Sequence, residues 1–148
     1  MGGGGVDGAI HRAAGNELHE ECIRIARERR HIPDGPCPAG DAVITCAGKL
    51  PCKKVIHTVG PVWYGGGRNE EELLSSCYRK SLLLAEEAGL GSIAFPNIST
   101  GVYGYPKDKA AKAAVKAVKE TLEETPGIKR VVFVCFDEEN YRLYKELL

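Results

Sequence analysis

A run of glycines opens the chain and leads directly to a carboxylate. Gly2 to Gly5 precede Val6 and Asp7, where the sequence predicts the start of a helix. Such a loop suits an anion, because its amides can approach a phosphate and the helix dipole is positive at that end. Asp7 would then lie beside the phosphate, where a carboxylate can orient or activate water. In isolation, Asp7 is more simply explained as a helix N-terminal carboxylate that complements the dipole.

A second segment, PNISTGVYGYP over residues 96–106, has the composition of an anion-binding loop. It is small, rich in hydroxyl groups and glycine, and lies between a predicted strand and a predicted helix. Successive backbone N–H groups can hold a diphosphate without lysine or arginine. Here they would come from Ser99, Thr100, Gly101, Val102 and Gly104. Tyr103 adds a flat face for a sugar or a base. The alternative interpretation of the whole segment is a plain connection between a strand and a helix, without a binding role.

The remaining candidates for chemistry are weaker. His11 lies one turn after Asp7. His57, in the apolar stretch VIHTV, is interpreted either as a satisfied core histidine or as one that supports a site residue from behind. His19 and His31 are predicted to lie on the surface. Ser99 lacks the G-x-S-x-G pattern of a nucleophile elbow, which argues against a serine hydrolase.

Composition limits the class of protein. The 148 residues are predicted to form a single domain, residues 1–148, and 20 basic residues balance 20 acidic ones. A balanced charge argues against bulk nucleic-acid binding, which requires a basic surface. The sequence does not open with the apolar segment of a signal peptide. It also contains no run of apolar residues long enough to span a membrane. Six cysteines without a C-x-x-C pair are interpreted as small apolar residues in a reducing cytoplasm.

Hydrophobic periodicity predicts the element order α-α-β-β-α-β-α-β-α. Strands alternating with helices from residue 54 to 136 imply parallel pairing, and so a three-layer α/β domain with a mostly parallel sheet. Ligands of such sheets bind at the carboxyl ends of the strands, which here means the loop after Pro96 and the residues after Phe136. The predicted strands are 42–46, 54–59, 92–97 and 130–136, and helices are predicted over 16–30, after a cap at Asn69, over 106–125 and after a cap at Asp137.

Four segments together resemble a known family. GGGGVDGAIHRAAG, AVITCAGKLPCKKVIHTVGPVW, FPNISTGVYGYP and VCFDEENY are similar to macrodomains of the MacroD type, and especially to bacterial O-acetyl-ADP-ribose deacetylases. The resemblance runs over essentially the whole chain. It implies a three-layer α/β/α fold and a pocket for ADP-ribose, with no metal and no cofactor.

The resemblance also implies a role for each site residue. The loop over the diphosphate and the distal ribose is formed by Gly3, Gly4, Gly5 and Val6. The residues that wrap the diphosphate are Ser99, Thr100, Gly101, Val102, Tyr103 and Gly104. Tyr103 packs near the distal ribose, Phe136 stacks on the adenine, and Asp7 corresponds to the catalytic aspartate.

The implied reaction is hydrolysis of an ester at the distal ribose. The ester is either the acetyl group of O-acetyl-ADP-ribose or the bond from ADP-ribose to a protein carboxylate, so mono-ADP-ribosylated proteins are a further class of partner. Two alternatives remain open: a module that binds ADP-ribose without turning it over, and an inactive fragment or a domain with a different sheet arrangement. A binder needs no carboxylate beside the scissile bond, which favours the hydrolase.

The chain departs from the family at its beginning. Relatives carry a G-D-I-[TS] stretch and an N-A-A-N stretch before the glycines, and neither is present here. The resemblance therefore suggests that Met1 corresponds to an internal methionine of the family. The strand that carries N-A-A-N lies inside the family's sheet, and its neighbours would be left with unpaired N–H and C=O groups. We expect the 148 residues to be unstable or to aggregate unless another segment fills that place.

Overall fold

The computed structural model describes residues 3–148; Met1 and Gly2, the first glycine of the opening run, lie outside the described residues. The elements follow the predicted order. The helices are α1 (Gly5–Ala14), α2 (Asn16–Glu28), α3 (Glu70–Glu87), α4 (Lys107–Leu122) and α5 (Glu138–Leu147). The strands are β1 (Ala42–Cys46), β2 (Lys54–Thr58), β3 (Ser92–Phe95) and β4 (Arg130–Phe133).

The described residues form two compact units. The first comprises residues 3–38 with Val43–His57, and the second comprises Ala39–Ala42 with Thr58–Leu148. The strands form two two-stranded sheets, β1 with β2 and β3 with β4. The single domain expected over residues 1–148 stays a prediction.

The first unit has a small apolar core at the junction of its two helices. Ala14, Leu18 and Cys22 are buried there. The partly buried residues that pack against them are Cys46, Leu50 and Val55. Gly48 has a left-handed backbone, and a Cβ at this position would lie 2.4 Å from the carbonyl oxygen of Ala14. Only glycine therefore lets this turn approach the end of α1 so closely.

The second unit contains a parallel pair of strands. The register of β3 and β4 runs from Ser92 opposite Arg130 to Phe95 opposite Phe133, as the α/β pattern predicts. The N–H of Val134 donates to the carbonyl of Phe95 at 2.8 Å and extends the pairing by one bond. Because the strands are parallel, their carboxyl ends lie at one edge, and the segments that follow Phe95 and Phe133 leave the sheet together.

Aromatic side chains connect this sheet to its helices. The ring centroid of Phe95 lies 4.9 Å from that of Tyr78 on α3, and the ring centroid of Phe133 lies 4.7 Å from that of Tyr144 on α5. Such ring pairs add to the stability that burial provides. Burial also raises the pKa of the Tyr78 hydroxyl well above its usual value. The edge that carries the two loops is thus supported by a packed interior.

The helix ends differ from the predictions in detail. Asn69 is the N-cap residue of α3, but it adopts a left-handed backbone and its side chain makes no capping hydrogen bond. Glu70, the next residue, accepts hydrogen bonds from N–H groups of the preceding loop. Pro106 is the N-cap of α4 rather than a residue of its first turn. The predicted cap of α5 is confirmed, since Asp137 accepts a hydrogen bond from the N–H of Asn140.

Strand β4 ends earlier than the apolar pattern predicts. The pattern extends the strand to Phe136, whereas the structure ends it at Phe133. Val134 and Phe136 are 55% and 96% exposed, so these side chains belong to a surface segment rather than to a central strand.

None of the helices within residues 3–148 combines the length and the apolar character that a membrane crossing requires.

Candidate functional site

The glycine run lies at the N-terminus of α1, as predicted. Gly4 is the extended N-cap residue, and Gly5 begins the helix with a φ of +61°. Gly8 is buried, and a Cβ there would lie 2.2 Å from the carbonyl oxygen of Gly3. Gly8 therefore allows the loop to fold back onto its own helix. The first amides of a helix have no acceptor within the helix, so this turn offers N–H groups to an anion.

Asp7 lies in the first turn of α1, with its side chain 53% exposed. One carboxylate oxygen, Oδ1, is 3.3 Å from Nε2 of His11, whose side chain is only 8% exposed. His11 therefore restricts the orientation of Asp7 from the protein side, while about half of the Asp7 side chain is accessible to solvent. That is the arrangement a water-activating carboxylate requires.

His11 belongs to a buried polar network in the first unit. Potential ligand atoms of His11, Cys22 and His57 lie within 4.8 Å of one another, close enough for a metal to be considered. However, Nε2 of His57 is 2.9 Å from Oγ1 of Thr45, whose hydroxyl donates to the carbonyl of Cys46, also at 2.9 Å. The same Nε2 atom of His57 also lies 3.8 Å from Sγ of Cys22. Nε2 of His57 is thus in contact with two polar groups, whereas both ring nitrogens of His11 are buried without a hydrogen-bond partner within residues 3–148. The absence of a metal at this cluster stays a prediction.

The same network agrees with the interpretation of His57 as a core histidine. Burial is the larger cause that lowers the pKa of His57, and the neighbouring His11 lowers it further. The ring centroids of these two histidines are 6.0 Å apart. His19 and His31 are exposed, as predicted.

In the second unit, the loop after β3 forms a compact double turn. The N–H of Gly104 donates to Gly101, and the N–H of Tyr105 donates to the carbonyl of Ser99. Thr100 uses both its N–H and its hydroxyl to bond the carbonyl of Asn97. The N–H groups of residues 99 and 101–103 make no hydrogen bond to a backbone carbonyl within residues 3–148. The loop thus presents several amides to a ligand, although two of the predicted donors, Thr100 and Gly104, are used internally.

Ser99 has two features that are typical of a binding residue. Its backbone is left-handed, with a φ of +66°, which costs a residue other than glycine about 1–3 kcal/mol. Its Oγ is buried and has no hydrogen-bond partner within residues 3–148. Burial without a partner is unfavourable for a hydroxyl, so Ser99 retains a bonding capacity that a ligand can satisfy.

Two apolar side chains of this edge lie in solvent. Val102, at the tip of the loop, is fully exposed, and Phe136, after β4, is 96% exposed. The backbone of Phe136 is nonetheless fixed, because its N–H donates to Oδ1 of Asn97 at 3.3 Å. Asp137, the next residue, caps α5 and lies 3.2 Å from Nζ of Lys107. The structure therefore brings Phe136 to the loop that contains Ser99–Gly104.

Sequence reasoning missed two residues of this edge. Asn97 joins the loop to Phe136 across 39 positions of the chain, which no local pattern signals. Glu70 is buried and accepts bonds from three backbone N–H groups of the segment before α3. The only available signal for Glu70 was its place at the start of a helix, directly after a glycine-rich segment.

A separate apolar groove of about 610 Å³ lies among α4, β4 and α5. Its lining includes Val115, Val131, Phe133, Tyr141 and Leu148. None of the predicted ligand-binding residues is among those that line it. The groove therefore belongs to the helix-covered side of the second unit, and we do not assign it to the candidate site.

Comparison with known proteins agrees with the resemblance seen in the sequence. The model of the Macro domain family matches residues 1–114. An O-acetyl-ADP-ribose deacetylase of Citrobacter rodentium is 56% identical over 148 residues, which are all of this chain and 81% of that protein. The Oceanobacillus iheyensis macrodomain with ADP has a TM-score of 0.88 and 44% identity, covering 99% of this chain and 75% of its own.

A more distant neighbour is the Trypanosoma brucei macrodomain in complex with ADP-ribose. Its TM-score is 0.84 at 40% identity, and the match covers 98% of this chain and 57% of that one. The α/β fold predicted from the sequence is thereby confirmed as that of a macrodomain. Since the family model matches more than half of the chain and the relatives match all of it, the protein belongs to the macro domain family.

Proposed function

We propose that this protein binds ADP-ribose and hydrolyses the acetyl ester of O-acetyl-ADP-ribose. The observation that carries the proposal is the identity of 56% over the full chain to a protein named O-acetyl-ADP-ribose deacetylase. The geometry supports it in two places: a glycine turn with a carboxylate in the first unit, and a loop with unbonded amides in the second.

The ligand-binding residues in this proposal are those expected from the sequence. In the first unit, the diphosphate and the distal ribose contact Gly3, Gly4, Gly5 and Val6. In the second unit, the diphosphate contacts Ser99, Thr100, Gly101, Val102, Tyr103 and Gly104. The unpartnered hydroxyl of Ser99 supports its assignment, because it can donate to a phosphate oxygen. The exposed ring of Phe136 supports stacking on adenine, since a flat apolar face in solvent is available to a base.

Asp7 is the proposed catalytic residue. Its carboxylate accepts a proton from a water molecule whose oxygen attacks the acetyl carbon. The bond from that carbon to the ribose oxygen then breaks, and the proton passes to the ribose oxygen, which yields acetate and ADP-ribose. His11 holds the carboxylate in orientation through its contact at 3.3 Å. An acidic side chain linked to ADP-ribose presents the same ester, so mono-ADP-ribosylated proteins are a second proposed substrate class.

Release of acetate from O-acetyl-ADP-ribose tests this proposal. We expect Asp7→Ala to lower the rate about 100-fold or more, the usual contribution of a general base, while ADP-ribose binding is kept. The matched control is Glu17→Ala, since Glu17 is likewise an exposed carboxylate in the first turn of a helix of the same unit. If Asp7 only complements the helix dipole, both variants will retain activity, and its catalytic assignment is wrong.

The alternative is an ADP-ribose-binding module without turnover. It is favoured if the wild-type protein binds ADP-ribose but releases no acetate, and if Asp7→Ala binds equally well. We also propose a cytoplasmic location and no bulk nucleic-acid binding, as the composition predicts.

A further inference from the structure

Glu70 has an environment that its place in the sequence does not explain. It is the first residue of α3, only 1% exposed, and carries a carboxylate. Buried carboxylates are rare in proteins unless they are paired. The groups that satisfy this one are backbone amides: the N–H groups of Tyr64 and Gly66 donate to Oε2 at 2.9 Å each, and the N–H of Arg68 donates to Oε1.

These bonds fold residues 64–68 of the segment 60–69 around the carboxylate. The N–H group of Tyr64 lowers the pKa of Glu70 most among them, followed by those of Gly66 and Arg68, against the opposing effect of burial. On the outer side of the segment, the guanidinium of Arg68 lies 4.3 Å from the ring centroid of Tyr64. Three glycines at 65–67 leave the segment little rigidity of its own, so the carboxylate defines its shape.

The same segment supports the loop that contains Ser99–Gly104. The N–H of Trp63 donates to the carbonyl of Tyr103 at 2.9 Å, and the Trp63 ring lies 4.6 Å from the ring of Tyr105. At the other end, a Cβ on Gly60 would lie 2.2 Å from Oγ of Ser99. The loop after β3 therefore contacts residues 60 and 63, and Tyr64, the first residue bonded to Glu70, directly follows Trp63 in the chain.

We propose that Glu70 is a positioning residue for the ligand-binding loop 98–104, acting through the hydrogen bond from Trp63 to Tyr103. This inference rests on the proposed function of that loop. Glu70 does not touch the ligand. It fixes the segment that sets the position of Tyr103 and Ser99, so its loss displaces the loop from the geometry that the diphosphate requires.

Trp63 makes the inference directly measurable, because it is the single tryptophan of the sequence. We expect Glu70→Ala to shift the fluorescence emission maximum of the folded, ligand-free protein. We also expect it to weaken ADP-ribose binding about tenfold or more, the order expected when a binding loop is displaced. The matched control is Glu71→Ala, which removes the same charge from an exposed position of the same helical turn and is expected to leave both readouts unchanged.

If Glu70→Ala does not fold, a second pair of variants tests whether the segment before α3 positions the loop. Gly66 has a φ of +91°, and a Cβ there would lie 3.1 Å from the Trp63 ring, whereas a Cβ on Gly67 would meet nothing within 4 Å. Gly66→Ala should shift the emission of Trp63 and weaken binding, and Gly67→Ala should do neither. The inference is overturned if the wild-type protein binds ADP-ribose and Glu70→Ala or Gly66→Ala binds it equally well. If the wild-type protein does not bind ADP-ribose, the proposed function fails instead.

Discussion

Replacing Gly60 by alanine perturbs the candidate ligand loop without touching its sequence. Gly60 is buried, and its backbone conformation is one that alanine adopts freely. The new methyl group would lie 2.2 Å from Oγ of Ser99 and 2.5 Å from Cγ2 of Ile98. Rotation of the Ser99 hydroxyl relieves the first contact but not the second. An ordinary contact begins at 3.4 Å, so the distance between the new methyl group and Cγ2 of Ile98 must increase by about 0.9 Å.

This displacement sets the expected magnitudes. Overpacking of a buried position costs about 1–3 kcal/mol, which lowers Tm by about 2–12 °C in a chain of this size. A misplacement of about 1 Å in a binding or catalytic constellation costs up to about 100-fold. We therefore expect Gly60→Ala to bind ADP-ribose about 10- to 100-fold more weakly than the wild-type protein.

Calorimetry provides both readouts, a thermal scan for Tm and a titration with ADP-ribose for Kd. Gly91→Ala is the matched control, because a Cβ at Gly91 would meet only the carbonyl oxygen of Gly127, at an ordinary 3.9 Å. The reasoning is refuted if Gly60→Ala loses thermal stability yet keeps wild-type affinity. In that case the position of residues 98 and 99 would not determine binding.

Two further predictions concern Asn97 and His57. Asn97→Ala removes the acceptor for the N–H of Phe136, so we expect ADP-ribose to bind about 2- to 10-fold more weakly. Ribose 5-phosphate, which lacks adenine, should bind with unchanged affinity. Equal losses of affinity for the two ligands would argue against a role of Asn97 in placing Phe136. The pKa of His57 is lowered in the folded protein, so the unfolded chain binds more protons, and this contribution to stability is present above pH 6.5 and is lost as pH falls below it. A histidine titrates roughly between pH 7 and pH 5. Over this range, urea unfolding should show a smaller loss of stability for His57→Gln than for the wild-type protein. An equal dependence of the free energy of unfolding on pH in the two proteins would contradict this prediction.

The sequence predicts the elements well where a pattern is local. The order of helices and strands follows from hydrophobic periodicity, and the cap at Asp137 follows from its residue type and place. The apolar run 130–136 predicts too long a strand, because Val134 and Phe136 are directed to solvent. Apolar composition alone does not distinguish a buried strand from a surface segment that offers apolar groups to a ligand.

The contacts that position the candidate site residues could not be predicted from local sequence patterns. Asn97 and Phe136 meet because β3 and β4 are parallel neighbours, and this depends on pairing between distant segments. Ser99 has a left-handed backbone and packs against Gly60, which lies 39 positions earlier in the chain. The role of Glu70 depends on three amides that converge only when residues 64–68 are folded. The candidate residues could be proposed from their types, whereas the contacts around them depend on the tertiary structure.

The most direct test of this account follows the backbone amides during a titration with ADP-ribose. In ¹H–¹⁵N correlation spectra, we predict the largest shifts at Ser99, Gly101, Val102 and Tyr103, whose N–H groups make no backbone hydrogen bond within residues 3–148. Shifts confined to the groove lined by Val115 and Leu148, or no shifts at millimolar ligand, would contradict the claim that the loop after β3 binds the diphosphate.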